Sequence, residues 1–215
     1  MRRLGFIIDA SPGIAPGDKT IWLHAVSVGE TLATIEFQKK IKTAFPDYKL
    51  LFTVSTETGF AVACEKCKSA DAVMYFPMDF HFSIYRFMAR FNVKAVVLTE
   101  TEVWPNFLNI MQKKGIPSFI INGRISDRSY ASYLKYSFVF RPVFSLITRC
   151  LMQSKLDAER IILAGAVPER VSVAGNIKYD EITAYMSADR RAIYEKFGYA
   201  ESDLIFVAGS VHPQE

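Results

Sequence analysis

The stretch Ile21 to Glu30, IWLHAVSVGE, constrains the fold more than any other part of the chain. Ile21, Trp22, Leu23, Ala25 and Val26 form a near-continuous apolar run, which suits a parallel strand buried on both faces. Such a strand needs helices above and below it. Ser27, Val28 and Gly29 then turn the chain, and from Glu30 onward Leu32, Ile35, Phe37, Ile41, Ala44 and Phe45 recur close to helical spacing. Glu30 therefore falls at a helix start, just past the carboxyl end of a strand, which is where open α/β sheets place their ligands. The helix dipole favours a carboxylate there. Position alone equally suits an ordinary first-turn acid, because acids are common at helix starts.

Strand-like and helix-like segments go on alternating down the chain. Strands are expected at Lys49 to Ser55, Ala72 to Phe76, Lys94 to Thr99, Ser118 to Asn122, Cys150 to Gln153 and Val171 to Ala174. Helices are expected at Thr58 to Lys68, Phe80 to Phe91, after Pro105, and at Leu156 to Leu163, with a basic, aromatic helical region between Arg124 and Arg149. This order implies an α/β fold with a doubly wound parallel sheet and right-handed crossovers. Asn176 to Ser187 reads as a linker, Ala188 to Phe197 as a helix, and Leu204 to Ala208 as a buried strand ending in Gly209 and Ser210. A strand so near the end has no helix after it to cover it. The expectation is one domain with its linker over residues 1–187 and the start of a second, truncated one over 188–215.

With 50% hydrophobic and 22% charged residues, the chain can bury a sizeable core and has no need to be disordered. It contains no apolar run long enough to span a bilayer, and MRRLGFIIDASPG at its start has too short an apolar core for a signal peptide. Three cysteines suggest a reducing compartment. Cys64 and Cys67 form a C-x-x-C, but within an expected helix and without a second metal-ligand pair, which argues against zinc or redox chemistry.

A net charge of +4 is too small for a general nucleic-acid binder, yet it is unevenly spread. Arg124, Arg128, Lys135, Arg141 and Arg149 stand against the single acid Asp127, interleaved with Tyr130, Tyr133, Tyr136, Phe138, Phe140 and Phe144. Asp79 to Phe91 repeats the flavour, with His81, Arg86 and Arg90 among Phe80, Phe82, Tyr85, Phe87 and Phe91. Half or more of these rings are expected in the core of amphipathic helices. The remainder suit an anionic membrane surface.

The polar residues gather where the strands end. Strand one ends at Glu30, strand two at Ser55-Thr56-Glu57-Thr58-Gly59, strand four at Glu100-Thr101-Glu102, strand five at Asn122-Gly123-Arg124, strand six at Gln153-Ser154 and strand seven at Gly175-Asn176-Ile177-Lys178. In a parallel sheet these ends share one edge, so carboxylates, an arginine and a lysine converge there. That collection suits an anionic substrate attacked by a hydroxyl. Dinucleotide, P-loop, nucleophile-elbow and zincin signatures are all missing, as is an Asp-x-Asp pair for a metal-bound nucleotide. Arg124 and Arg128 fit either local acids or a phosphate, which arginine grips bidentately. His24 fits a hydrogen-bonded core position, Trp104 beside Pro105 fits packing, and Glu102 fits a structural role or the start of a helix.

Taken together, HAVSVGE (24–30), STETG (55–59), ETEVWPN (100–106), NGRISDRS (122–129), MQSKLDAER (152–160) and GNIKYD (175–180) resemble the 3-deoxy-D-manno-octulosonic acid (Kdo) transferases, in order and spacing, over nearly the whole chain from Arg3. The resemblance implies the N-terminal, acceptor-binding Rossmann-like half of a GT-B glycosyltransferase. AGSVHPQE (208–215) is similar to the opening of the half that binds CMP-Kdo, with Val211 where the family often has threonine, and Arg2 to Phe6 looks like a segment that follows a membrane anchor. It further implies Glu30 as catalytic base and Glu100 and Lys178 as transition-state stabilisers, with Ser27, Gly29, Arg124 and Arg128 on the acceptor. The implied reaction moves Kdo from CMP-Kdo to a lipid A precursor, lipid IVA, with inversion and no metal or other cofactor. The implied setting is the cytoplasmic face of a bacterial inner membrane, with an anionic membrane surface and no nucleic acid as partner. Another GT-B nucleotide-sugar transferase, or a non-catalytic lipid-surface module of the same fold, are the alternatives. The piece from Met1 to Glu215 is expected to be inactive by itself, because the donor site belongs to the other half.

Overall fold

The computed structural model describes residues 13–179, 190–200 and 202–206. Its backbone divides into two units, Met1–Lys178 and Tyr179–Glu215. In the first, strands and helices alternate as β1 (Lys19–Ala25), α1 (Val28–Ala33), α2 (Ile35–Ala44), β2 (Lys49–Val54), α3 (Glu57–Lys66), β3 (Ala72–Tyr75), α4 (His81–Met88) and β4 (Asn92–Thr99). They continue with α5 (Pro105–Lys113), β5 (Ser118–Gly123), α6 (Asp127–Lys135), α7 (Ser137–Ser145), β6 (Arg149–Met152), α8 (Lys155–Ala164), a 3₁₀ turn (Pro168–Arg170) and β7 (Val171–Val173).

The seven strands make one wholly parallel sheet in the order β3-β2-β1-β4-β5-β6-β7. The expected doubly wound α/β architecture is therefore present. The order runs outward in both directions from the β1/β4 pair, where Trp22 lies beside Val96 and His24 beside Leu98. Between two strands whose connections leave in opposite directions, a crevice opens above their carboxyl ends.

Both faces of the sheet are covered, which explains the apolar run Ile21, Trp22 and Leu23 in β1. Trp22, Leu51, Val96, Leu98 and Ile120 point to one face and pack with Ile84 and Phe87 of α4, Phe107 and Leu108 of α5, and Phe144 of α7. Ile21, Leu23, Ala25, Leu50, Phe52, Val54, Val97 and Ile121 point to the other, against Ile41 of α2 and Ala63 of α3. This is the two-residue alternation of a strand read on two buried sides. Trp22 centres the first layer. It stacks on Phe87 at 4.7 Å, meets Phe107 edge-on at 5.0 Å, and donates its indole N–H to Thr53 Oγ1 at 2.8 Å.

Two details depart from the sequence reading. The helix expected to open at Glu30 is in fact two helices joined at Thr34, and the first begins earlier, with Ser27 as its cap. Thr31 and Thr34 turn their hydroxyls onto the carbonyls of Ser27 and Thr31, the local competition that bends helices. In the second unit, α9 (Arg190–Phe197) is the expected helix, its residues 188–189 lying outside the described ones, and Gly198 follows at φ 69°. Leu204, Ile205 and Phe206 form no strand, and Leu204 and Phe206 are almost fully exposed. A lone apolar run has no ladder to join among the described residues, and the rest of that expected strand lies outside them.

Candidate active site

The β1–α1 turn is built to hold one carboxylate. Ser27 caps α1, accepting from the Glu30 N–H at 3.3 Å, and its hydroxyl donates to Glu30 Oε1 at 2.8 Å. The Val26 N–H donates to Glu30 Oε2 at 2.8 Å. Both carboxyl oxygens are thus fixed by the turn that precedes them, and only 8% of the residue is exposed. The arrangement is a variant of the capping box, with the acid reaching one residue further back than usual. α3 closes in from the β2 side: Thr56 Oγ1 donates to Val26 O at 3.1 Å, and a Cβ on Gly59 would come within 2.7 Å of that same oxygen, Thr56 Oγ1. Glycine there makes room for the hydroxyl that caps its own helix, to which the Gly59 N–H donates at 3.1 Å. At Gly29 a Cβ would meet nothing nearer than Ser27 Oγ at 4.0 Å, so packing does not require that glycine.

Across the switch point, β4 ends in a left-handed residue. Glu100 has φ 59° and donates its N–H to Ile121 O at 2.9 Å. Non-glycine residues in that region store strain of about 1–3 kcal/mol and cluster at functional sites. Burial raises the proton affinity of the Glu100 carboxyl, as does the charge of Glu30, while Lys178 and Arg124 pull it back down. Glu102, two residues on, is pushed up to about 7 by burial first and then by Glu30 and Glu100. The Tyr133 hydroxyl on α6 is pushed up to about 12 by burial and by Glu102.

Lys178 reaches this cluster through a chain of amides. Gln153 Nε2 donates to Asn122 O at 3.1 Å, and Asn176 Nδ2 donates to Gln153 Oε1 at 3.3 Å. The Ile177 N–H donates to Asn122 Oδ1 at 3.1 Å, and the Lys178 N–H to Asn176 Oδ1 at 3.0 Å. Asn122, buried and at φ 54°, is the hub, and asparagine tolerates that conformation better than most residues. The ends of β5, β6 and β7 are tied together in this way, which sets Lys178 to act on Glu100.

Arg124 stands on the turn between β5 and α6. Thr101 Oγ1 donates to Arg124 O at 2.7 Å, and the Ile125 N–H donates to Asp157 Oδ1 at 2.8 Å. Arg160 donates to Ile125 O at 2.6 Å and pairs with Asp127. Asp127 is thereby engaged by α8, and Arg124 acts on the charge of Glu100. Glu100, Thr101, Glu102, Arg124, Ser126, Ser129 and Tyr133 line a crevice of about 280 Å³.

Of the residues expected at the site, Ser27, Glu30, Glu100, Lys178 and Arg124 come together around the switch point. Arg128, on the first turn of α6, is exposed and does not line the crevice. His24 is fully buried, with Nδ1 3.0 Å from Thr53 O and its ring stacked on Phe76 at 4.0 Å, so it serves the core. Trp104 packs on Phe76 at 5.4 Å. Glu102 was expected on the strand-end edge but with a structural role or at a helix start, and Tyr133 was not foreseen as a crevice residue. The E-x-E spacing was the available signal for the first, and nothing local marks the second. About half of the aromatic rings serve the core, as expected: Phe87, Phe91 and Phe144 are buried and Tyr130, Tyr133 and Phe140 pack against them partly buried, whereas Phe80, Phe82, Tyr85, Tyr136 and Phe138 are exposed. Among the described residues no group of three or more His, Cys, Asp or Glu is arranged to hold a metal, and no helix is long and apolar enough to cross a membrane.

A parallel sheet wound outward from β1 and β4, with acids and cations at its carboxyl edge, is a Rossmann-like arrangement of the kind that each half of a GT-B protein has. Solved structures with the same fold include UDP-GlcNAc 2-epimerase from Neisseria meningitidis bound to UDP-GlcNAc (TM-score 0.56, 12% identity, 86% of this chain and 55% of that one). A putative UDP-N-acetylglucosamine 2-epimerase from Listeria monocytogenes is similar (TM-score 0.58, 10% identity, 83% and 50%). Residues 1–181 match the family described as 3-deoxy-D-manno-octulosonic-acid transferase (kdotransferase), and the chain belongs to that family. A 3-deoxy-D-manno-octulosonic acid transferase of Haemophilus influenzae is 34% identical over 182 residues, 83% of this chain and 41% of that protein. A bifunctional glycosyltransferase/methyltransferase of Fusobacterium nucleatum is 36% identical over 200 residues, 92% of this chain and 31% of that protein. The chain thus spans about a third to two fifths of the length of these two relatives.

Proposed function

We propose that this chain is the acceptor-binding half of an enzyme that moves Kdo from CMP-Kdo to a lipid A precursor such as lipid IVA, in lipopolysaccharide synthesis. The observation that carries the reading is the meeting of Glu30, Glu100 and Lys178 at the β1/β4 switch point. Glu30 takes the proton of an acceptor hydroxyl while that oxygen bonds to the anomeric carbon of Kdo. The bond from that carbon to the CMP phosphate breaks on the opposite face, so the configuration inverts and CMP leaves with the electron pair. A carboxylate already fixed at both oxygens still has lone pairs for an incoming hydroxyl, and it costs no reorganisation at the moment of attack.

The transition state has oxocarbenium character, as in glycoside cleavage. Glu100 lies where it can face the developing positive charge, and Lys178 can neutralise the departing phosphate or the Kdo carboxylate. Because a lysine supplies that charge, the reaction is assigned no metal and no other cofactor. Arg124 is assigned to an acceptor phosphate, with Ser27 and Gly29 along the acceptor's path, and Arg128 to its outer margin.

The residues that hold CMP-Kdo are assigned to the part of the relatives that this chain does not span, so the chain alone should be inactive. Its setting is the cytoplasmic face of the inner membrane, where the exposed rings of α4 and of the α6–α7 region, flanked by Arg86, Lys135 and Arg141, meet anionic lipid. A full-length version supplied with CMP-Kdo and lipid IVA tests the reading: the expected product by mass spectrometry is the acceptor carrying Kdo. Activity with a UDP-sugar and none with CMP-Kdo would overturn it.

A further inference from the structure

The crevice beside Arg124 is lined by polar groups that the protein itself leaves without partners. Among the described residues, the carboxyl of Glu102, the hydroxyl of Tyr133 and the guanidinium of Arg124 enter no hydrogen bond or ion pair of their own side chains, although Glu102 and Tyr133 are each largely buried. The surrounding turn is, by contrast, heavily tied: Thr101 to Arg124 O, Ser126 to Ser129, and Ile125 to Asp157. With Arg124 exposed and the other two partly buried, all three side chains keep their hydrogen-bonding groups open to a ligand in one crevice of about 280 Å³.

We propose that Glu102 is a specificity-determining residue of this crevice, donating a hydrogen bond to an oxygen of a sugar whose anionic substituent is held by Arg124. This rests on the reading of the crevice as part of the acceptor site. The charge pattern explains why a carboxyl can stand next to a bound anion. The groups that face Glu102 are Glu30 from α1, Glu100 from its own loop, Tyr133 from α6 and Arg124 from the β5–α6 turn, with Lys178 acting on Glu100. Two carboxylates outweigh the cations at this position, and burial adds to them. Glu102 therefore keeps its proton up to about pH 7. In that state it is a donor rather than a repelling charge. Tyr133, held neutral by the same surroundings, is a second donor. The crevice should thus select ligands that combine an anion with acceptor oxygens nearby, and should release them as Glu102 ionises.

Binding of N-acetylglucosamine 6-sulfate to this 215-residue chain tests the proposal, because the sulfate keeps its charge across the pH range. Amide chemical-shift titration at Gly123, Ser126 and Ser129 reads the affinity at pH 6 and pH 8.5. The parent should bind about tenfold more weakly at the higher pH, and Glu102→Gln, a permanent donor, should bind equally at both. Glu102→Ala should be weak at both. Variants are compared only where their spectra outside the crevice superimpose on the parent's. Binding that needs Arg124 but has the same pH dependence in Glu102→Gln overturns the role of Glu102 and leaves the acceptor reading standing. Binding that is unchanged in Arg124→Ala, or none at either pH, overturns both.

Discussion

The turn after β1 and the loop after β4 bring carboxylates to one crevice under opposite conditions. At Glu30 the turn supplies a partner for each oxygen, the Val26 N–H and the Ser27 hydroxyl. At Glu100 and Glu102 the loop supplies none among the described residues and surrounds them with burial and like charge, which raise their hold on the proton. The first segment fixes where a carboxylate points. The second decides when a carboxyl is charged. The proposed transfer takes a proton from one group while steadying charge beside it, and two strands meeting at a switch point can provide both independently.

The sharpest way to break this comparison is to exchange the fixed carboxylate for an amide. Glu30→Gln in the full-length enzyme keeps the shape, and its remaining oxygen can still accept from the turn, but it cannot accept a proton. Removal of a general base costs about 10² to 10⁴ in rate, so kcat should fall by that factor while the acceptor KM hardly moves. A variant that kept more than half the kcat would transfer the role of base to the β4 loop.

Lys178→Ala probes the other regime, and a loss of about 10² to 10³ in kcat is expected, the range for removing one preorganised stabilising group. Lys178 also helps hold down the proton affinity of Glu100. The acid limb of the pH–rate profile should therefore move to higher pH in the variant. A change confined to KM, with the limb unmoved, would mean that Lys178 only binds substrate.

The two regimes were not equally legible in the sequence. The β1–α1 turn could be read because its parts are local: an apolar run, a serine and an acid three residues apart, and helical spacing beyond. Even so, Thr31 and Thr34 break that helix through hydroxyl bonds that periodicity does not register. The central strands were legible for the same reason as β1, since burial on two faces leaves apolar runs such as Leu50 to Phe52 and Ala95 to Leu98. The state of Glu102 was not, because it depends on Glu30, 72 positions earlier, and on burial against α6. Nor was the placing of Lys178 through Asn122, Gln153 and Asn176, which joins three strand ends distant in the chain. At Leu204 to Phe206 the apolar run suggests a strand, and among the described residues it has no neighbour to pair with.

Stability against pH sharpens the comparison without any substrate. Glu102 holds its proton up to about 7 in the folded chain, above its ordinary value of 4.5. An acid raised in this way contributes stability that is fully present below pH 4.5 and is lost as pH rises through about 7. Glu102→Gln escapes that loss. After allowance for the part of the group in contact with solvent, the variant should gain about 1 to 2 kcal/mol on the parent between pH 4 and pH 8. Denaturant unfolding at the two pH values measures it, and an identical stability difference at both would show that Glu102 ionises normally.

The smallest effect is expected from Ser27, and it separates fixing a charge from merely capping a helix. Ser27→Ala removes the α1 cap and one of the two partners of Glu30. Loss of such a cap costs about 1 kcal/mol, or roughly 2–4 °C in Tm for a domain of this size. Ser154 makes the same pair of bonds at the start of α8, accepting from the Asp157 N–H at 3.1 Å and donating to that carboxyl. Its acid instead steadies the turn that carries Arg124, through Ile125. Ser154→Ala should therefore cost similar stability and act on the acceptor KM, whereas Ser27→Ala should act on kcat by about tenfold, the change that about 1.4 kcal/mol of transition-state stabilisation makes. Ser27→Thr, which keeps the hydroxyl, should restore both the stability and kcat. If the two alanine variants had the same kinetic signature, the turn after β1 would be an ordinary helix start.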